Sequence, residues 1–219
     1  MLTFEKIKND KAINEYIRRA DQSLNALGYT EHNFAHVGRV SNDVEYILRT
    51  MGYSEREIEL GKIAAYMHDI GNLVNRVDHS QSGAVMAFRL LDKMGMDEGE
   101  IATIVTAIGN HDEGTGVAVN PIAAALIIAD KSDVRRTRVR NNDLTTFDIH
   151  DRVNYSVSSS SLEINEDKSV ILLKLTVETQ YSSVMEYFEI FLDRMTMCRH
   201  AARYLGLEFK ISVNGQMLL

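Results

Sequence analysis

Of the seven histidines in this 219-residue chain, five fall at the ends or on the polar faces of apolar, helix-patterned segments. His32 and His36 lie early in one segment, His68-Asp69 close a second, His79 precedes a third, His111 follows a fourth, and Asp130 ends a fifth. Imidazole and carboxylate together suit first-row divalent ions such as Fe, Mn, Zn or Co. Side chains at helix ends can converge on one cavity from several elements. Any one of these residues alone would be an ordinary hydrogen-bonded histidine or a solvated helix end. The ordered set of six from His36 onward reads as a metal centre. A lone carboxylate at the buried end of the run Ile63 to Met67 would cost on the order of several kcal/mol, so Asp69 calls for a partner or a cation.

The elements that must position these residues are mainly helical. Apolar spacing predicts helices over 4–26, 33–51, 54–69, 80–94, 97–108 and 121–129, with Ser54 and Glu57 forming a capping box. Gly71, just past His68-Asp69, reads as a residue tolerating positive φ at a helix end. After about residue 140 the composition changes. Ser161 to Ile164 and Ser169 to Val177 flank the polar turn Asn165 to Lys168 as a hairpin, 183–205 is helical, and Glu208 to Val213 alternates as a strand. Asp148 to Ser156 has no assignable pattern, and within it Asp148 to Arg152, with His150 and Asp151, reads as a polar loop. The expected fold is mainly α: a helical bundle over 1–140 and a small C-terminal α+β appendage (β-β-α-β) over 141–219.

A net charge of -7 argues against nucleic-acid binding through a basic face. It leaves room for a small anion, because bound metal supplies positive charge locally. The single cysteine, Cys198, excludes an intrachain disulfide and suits a reducing compartment. The first ten residues lack the apolar core of a signal peptide, and no apolar run reaches the ~18 residues of a membrane span. The expectation is a cytoplasmic protein with no membrane partner.

With their surroundings, HVGRV at His36, IAAYMHDIGN at His68-Asp69, DHSQSGA at His79 and IIADKSD at Asp130, these residues make roughly 30–140 resemble the HD-domain superfamily of metal-dependent phosphohydrolases. The resemblance implies an HD-type helical bundle in which His36, His68, Asp69 and Asp130 hold one divalent ion. His79 and His111 match members with two ions, and Asp69 then bridges them; the ions would be Fe, Mn, Zn, Co or Mg. It implies hydrolysis of a phosphoester or phosphoanhydride, in a nucleotide or another small phosphorylated compound, by hydroxide generated at the ions. Asp69 and His68 would be the catalytic residues. Asn72 replaces the Lys of the cyclic-dinucleotide branch, and no Gly-Tyr-Pro follows His111, which argues against cyclic di-GMP.

Lys131, Arg135 and Arg138 are the candidate phosphate contacts, since arginine presents paired donors to phosphate oxygens. Arg135 and Arg138, at i and i+3, would share a face one turn beyond Asp130. His32, one helical turn before His36, would line the pocket. Asp112 and Glu113 read as exposed loop carboxylates. The same ligand types also suit a di-iron oxygenase or a non-catalytic ligand-binding module. A homodimer could form through the C-terminal part, with Glu208 to Val213 as an edge strand.

Overall fold

The apolar stripe expected to run unbroken from Phe4 to Ala26 is cut at Asp10. Its carboxylate accepts hydrogen bonds from the backbone N–H groups of Ala12 and Ile13, both at 2.9 Å, and so starts a new helix. The computed structural model describes residues 1–141 and 143–218. It therefore opens with two helices, α1 (Phe4–Lys8) and α2 (Lys11–Ala26). Next come α3 (Phe34–Met51) and α4 (Glu55–Met67), and the Ser54–Glu57 capping box opens α4 as its sequence predicts.

Two further helices, α5 (His79–Lys93) and α6 (Glu98–Gly109), pack as a pair. The centre is α7 (Pro121–Lys131), whose proline sits in the first turn, where no N–H is needed. Every residue from Ile122 to Ala129 is at most 3% exposed, so this helix is apolar on all sides, as a central position requires. Around it pack α3, α4, α6 and, from the C-terminal part, α9 (Val184–Tyr204). Truncating Leu126 or Ile127 to Ala would cost about 2–5 kcal/mol each.

Residues 148–152 are not a loop. They open α8 (Ile149–Ser156), capped by Asp148, whose carboxylate accepts from Asp151 N–H at 2.8 Å. Two turns are too short to display a clear apolar period, and for this reason local patterning misses the helix. It runs directly into β1 (Val157–Ile164), which pairs antiparallel with β2 (Val170–Val177). After α9, β3 (Glu208–Val213) returns parallel to β2, and β4 (Gln216–Met217) closes a short hairpin on β3. The fold is thus mainly α with a small C-terminal sheet of order β1-β2-β3-β4.

This order corrects one expectation. β3 is not an edge strand but lies between β2 and β4. The outer edge of β1 is partly covered by α3, where Arg39 donates to the Ser160 carbonyl and the Tyr46 hydroxyl accepts from Ile164 N–H at 2.8 Å. The apolar core runs without a break from α1 into β3. Among the described residues, no helix is long and apolar enough to cross a membrane.

Candidate metal centre

The ends of five successive helices, α3 to α7, meet at one point. His36 lies in the first turn of α3, His68 and Asp69 follow α4, His79 begins α5, His111 follows α6, and Asp130 is in the last turn of α7. Gly71, in the 3-10 turn Ile70–Leu73, lets α5 approach. A Cβ there would lie 1.9 Å from the His79 carbonyl oxygen and 2.4 Å from Gly83 N. Its φ is not positive, so close packing rather than a left-handed backbone explains the glycine. In the same turn, Asn72 Nδ2 donates to both the carbonyl and Oδ1 of Asp69, each at 3.0 Å, and fixes that carboxylate.

All four imidazoles are held in the same sense. Nδ1–H donates to Asp133 Oδ2 from His36 (2.8 Å), to Ala65 O from His68 (2.7 Å), to Arg76 O from His79 (3.0 Å) and to Ile108 O from His111 (2.6 Å). Carbonyl and carboxylate oxygens only accept, so each Nδ1 carries a proton and each Nε2 faces the site as the atom that can take a proton or a metal. Asp69 stands between them. Its Oδ2 is 3.1 Å from His68 Nε2 and 3.6 Å from His36 Nε2. Its Oδ1 is 3.5 Å from His79 Nε2 and 4.0 Å from His111 Nε2. Asp130 Oδ1 completes the first group, 3.3 Å from His36 Nε2 and 3.5 Å from His68 Nε2.

The buried Nε2 atoms of His36 and His68 and Oδ2 of Asp69 have no hydrogen-bond partner. The Nε2 atoms of His79 and His111 face each other at 3.2 Å, with Arg76 Nη1 3.3 Å from that of His79. Buried lone pairs gathered without donors are costly until a proton or cation joins them. The donor set therefore fits a divalent metal. Two groups, His36-His68-Asp130 and His68-Asp69-His111, have all their ligand atoms within 4.8 Å of one another.

Burial opposes a charged ring at each of the four histidines. At His36 it is outweighed by Asp130, Asp133 and Asp69, and at His68 by Asp69 and Asp130, which raise the two to about 9 and about 10. At His79 and His111 burial prevails; with His68 and Lys131 nearby, His111 falls to about 3. Asp69 and Asp130 stay well below the usual carboxylate range despite burial. His68 lowers the first, and Lys131 and His36 lower the second.

A model of the HD domain matches residues 33–154, more than half of the sequence. The chain belongs to the HD-domain family. It is also similar to "Uncharacterized protein MJ1020" of Methanocaldococcus jannaschii, 28% identical over 214 residues, covering 87% of this chain and 80% of that one. Among solved structures it is similar to a predicted HD superfamily hydrolase from an uncultured Thermotogales bacterium. That match is 27% identical over 57% of this chain and 68% of the other, with a TM-score of 0.44.

Beside its metal-facing residues the HD domain opens into a cavity of about 370 Å³. Lys131 lines it, 2.8 Å from Asp130 Oδ2. Arg138 does too, with Nε on the Glu31 carbonyl (2.8 Å) and Nη1 on the Asp133 carbonyl (2.5 Å). Its closest carboxylate oxygen, on Asp133, is 3.9 Å away, so this 4%-exposed cation faces the cavity poorly neutralised. His32 also lines the cavity, its Nδ1–H on Thr30 O at 2.7 Å. It stands outside α3, which Asn33 caps, and not one turn along it.

Arg135 does not reach the cavity. α7 ends at Lys131, so the helical face expected to carry Arg135 and Arg138 does not exist. Arg135 instead lines a separate surface groove and donates to Asp133 Oδ1 at 2.5 Å. Local patterning also passes over Asp133, which is 1% exposed and orients His36. The usable signal was chemical: a metal-binding imidazole needs an acceptor for its other nitrogen. Glu113 is not simply solvated but pairs with Lys131 and with Arg194 of α9. His150 and Asn154, on α8, face the same cavity.

Proposed function

We propose that this HD domain is a metal-dependent phosphohydrolase that uses two divalent ions to cleave a nucleotide or another small phosphorylated compound. One observation carries the reading: Asp69 turns one oxygen to His36 and His68, whose buried Nε2 atoms have no hydrogen-bond partner, and the other to His79 and His111, whose Nε2 atoms face each other. On this reading His36, His68, Asp69 and Asp130 hold one ion, and Asp69, His79 and His111 hold the other. Fe, Mn, Zn, Co and Mg all suit such ligands to differing degrees. When bound, such ions polarise phosphoryl oxygens and ease the loss of a proton from water.

The chain's own groups supply the rest. Asp69, fixed by Asn72, is the carboxylate placed to take a proton from an attacking water. Arg138 and Lys131 would orient the phosphoryl group from the cavity wall. Five carboxylates and four cationic side chains line the cavity, so two divalent ions would turn a slightly negative balance positive and favour an anion.

Elemental analysis of the purified protein, followed by phosphomonoesters, diphosphates and cyclic nucleotides with each metal, tests this. Phosphate release with redox-inert Mg or Zn is expected. Oxygen consumption with bound iron and no phosphate release would replace the reading with oxidation. Ligand binding without any turnover would replace it with a sensing module.

A further inference from the structure

One wall of the cavity comes from outside the matched HD residues. Residues 33–154 hold every metal-facing side chain, whereas Phe191 and Arg194 belong to α9. The Arg194 guanidinium lies over the Phe191 ring, 4.6 Å from its centroid, and its Nε is ion-paired with Glu113 Oε1 at 2.7 Å. The same Oε1 is 3.4 Å from Lys131 Nζ, which is in turn 2.8 Å from Asp130 Oδ2. A carboxylate gripped by two cations thus stands one ammonium group away from the metal-facing Asp130. Lys131 is only 5% exposed, with the Asp130 and Glu113 carboxylates beside its ammonium group.

We propose that Lys131 and Arg194 form a second anion subsite, held by Glu113 in the free protein, which receives a second acidic group of the substrate. This rests on the phosphohydrolase reading above. The substrate class narrows to compounds in which a phosphate lies a few bonds from another phosphate or a carboxylate. Glu113 sits on the exposed stretch between α6 and α7, so its side chain can leave without disturbing the core. The residue that chooses among phosphorylated compounds is then Arg194, contributed by the C-terminal part. A substrate with a single acidic group leaves the Glu113–Arg194 pair intact and gains nothing from it.

Three non-hydrolysable probes test the subsite by calorimetry on the metal-loaded full-length protein: methylphosphonate, methylenediphosphonate and phosphonoacetate. The two doubly acidic probes are expected to bind roughly 10- to 100-fold more tightly than methylphosphonate, as one added charge-assisted contact allows. Their relative strengths tell a second phosphate from a carboxylate. Arg194→Met, which keeps the stem over Phe191, should abolish this advantage and bring the doubly acidic probes to the affinity of methylphosphonate; Arg194→Lys should restore part of it. Glu113→Gln should tighten both doubly acidic probes. Chelation of metal in solution does not depend on Arg194, so the variants separate it from binding. Equal affinity for all three probes, or an advantage that survives Arg194→Met, overturns the subsite and leaves the phosphohydrolase reading standing. If no probe binds the wild-type protein, both fall together.

Discussion

On the Oδ2 side of Asp69 stand His36, His68 and Asp130, with Asp133 behind His36; on the Oδ1 side stand His79 and His111, near Arg76 and Lys131. The imidazoles on both sides are buried and anchored alike through Nδ1. Their proton affinities nevertheless move in opposite directions. Where carboxylates crowd the rings, burial is outweighed and the rings hold protons; where cations are nearby, burial leaves them neutral. On the proposed two-ion reading the first side must exchange protons for metal, whereas the second is already deprotonated but has Asp69 as its close carboxylate, which makes Asp69 the link on which the second ion would depend.

Removing that link should have the largest effect. Asp69→Ala is expected to bring metal content and phosphate release to background; one ion still bound tightly would show that the two sides are independent. A smaller effect should separate the sides themselves. In metal-free protein, His36→Ala removes one of the buried cations shared by Asp69, Asp130 and Asp133, at a cost of about 3–5 kcal/mol. His111→Ala removes a neutral ring and its hydrogen bond to the Ile108 carbonyl, at about 1–3 kcal/mol. Denaturant unfolding in chelator measures both, and equal losses would erase the contrast.

Among the six candidate ligands it is His36 to which Asp133 is hydrogen-bonded, so Asp133→Asn acts on the site through that ring. Metal affinity on the Oδ2 side should fall ~10- to 100-fold, with the Oδ1 side unaffected, in competition titrations. A loss of both ions would count against that selectivity.

The smallest effect is on the pH dependence of stability. His36 and His68 are raised in the folded protein, so their stabilisation is complete below about 6.5 and fades as pH climbs through about 9 and 10. His111 is lowered to about 3, so it has the opposite sign and destabilises as pH drops from about 6.5 toward 3. Metal-free protein should lose stability from pH 7 to pH 10, and metal-loaded protein, with these rings already deprotonated, should not. Parallel curves in denaturant melts with and without chelator would remove this difference between the two forms.

How much of this can be read without coordinates depends on distance along the chain. Ser54 and Glu57 announce the start of α4 because a capping box is closed within four residues. Pro121 and the apolar run after it announce α7, and the order His36, His68-Asp69, His79, His111, Asp130 announces an HD-type site. α8 escapes because eight residues show too little periodicity, and Asp10 divides a helix inside a stripe that otherwise continues. The groups that decide how the site works are paired across long separations. Asp133 meets His36 from 97 residues away, and Gly71 is explained by the backbone of α5. Arg138 turns inward and Arg135 outward because α7 stops at Lys131.

Composition and local spacing thus specify the helices, their ends and the ligand types, since capping and amphipathic burial are settled within a turn or two. Which oxygen of Asp69 faces which histidines, which cations reach the cavity and which rings keep their protons are set by the packing of α3 to α7 with α9. Lone pairs and charges from distant elements interact only once burial has brought them within a few ångströms and removed the water between them.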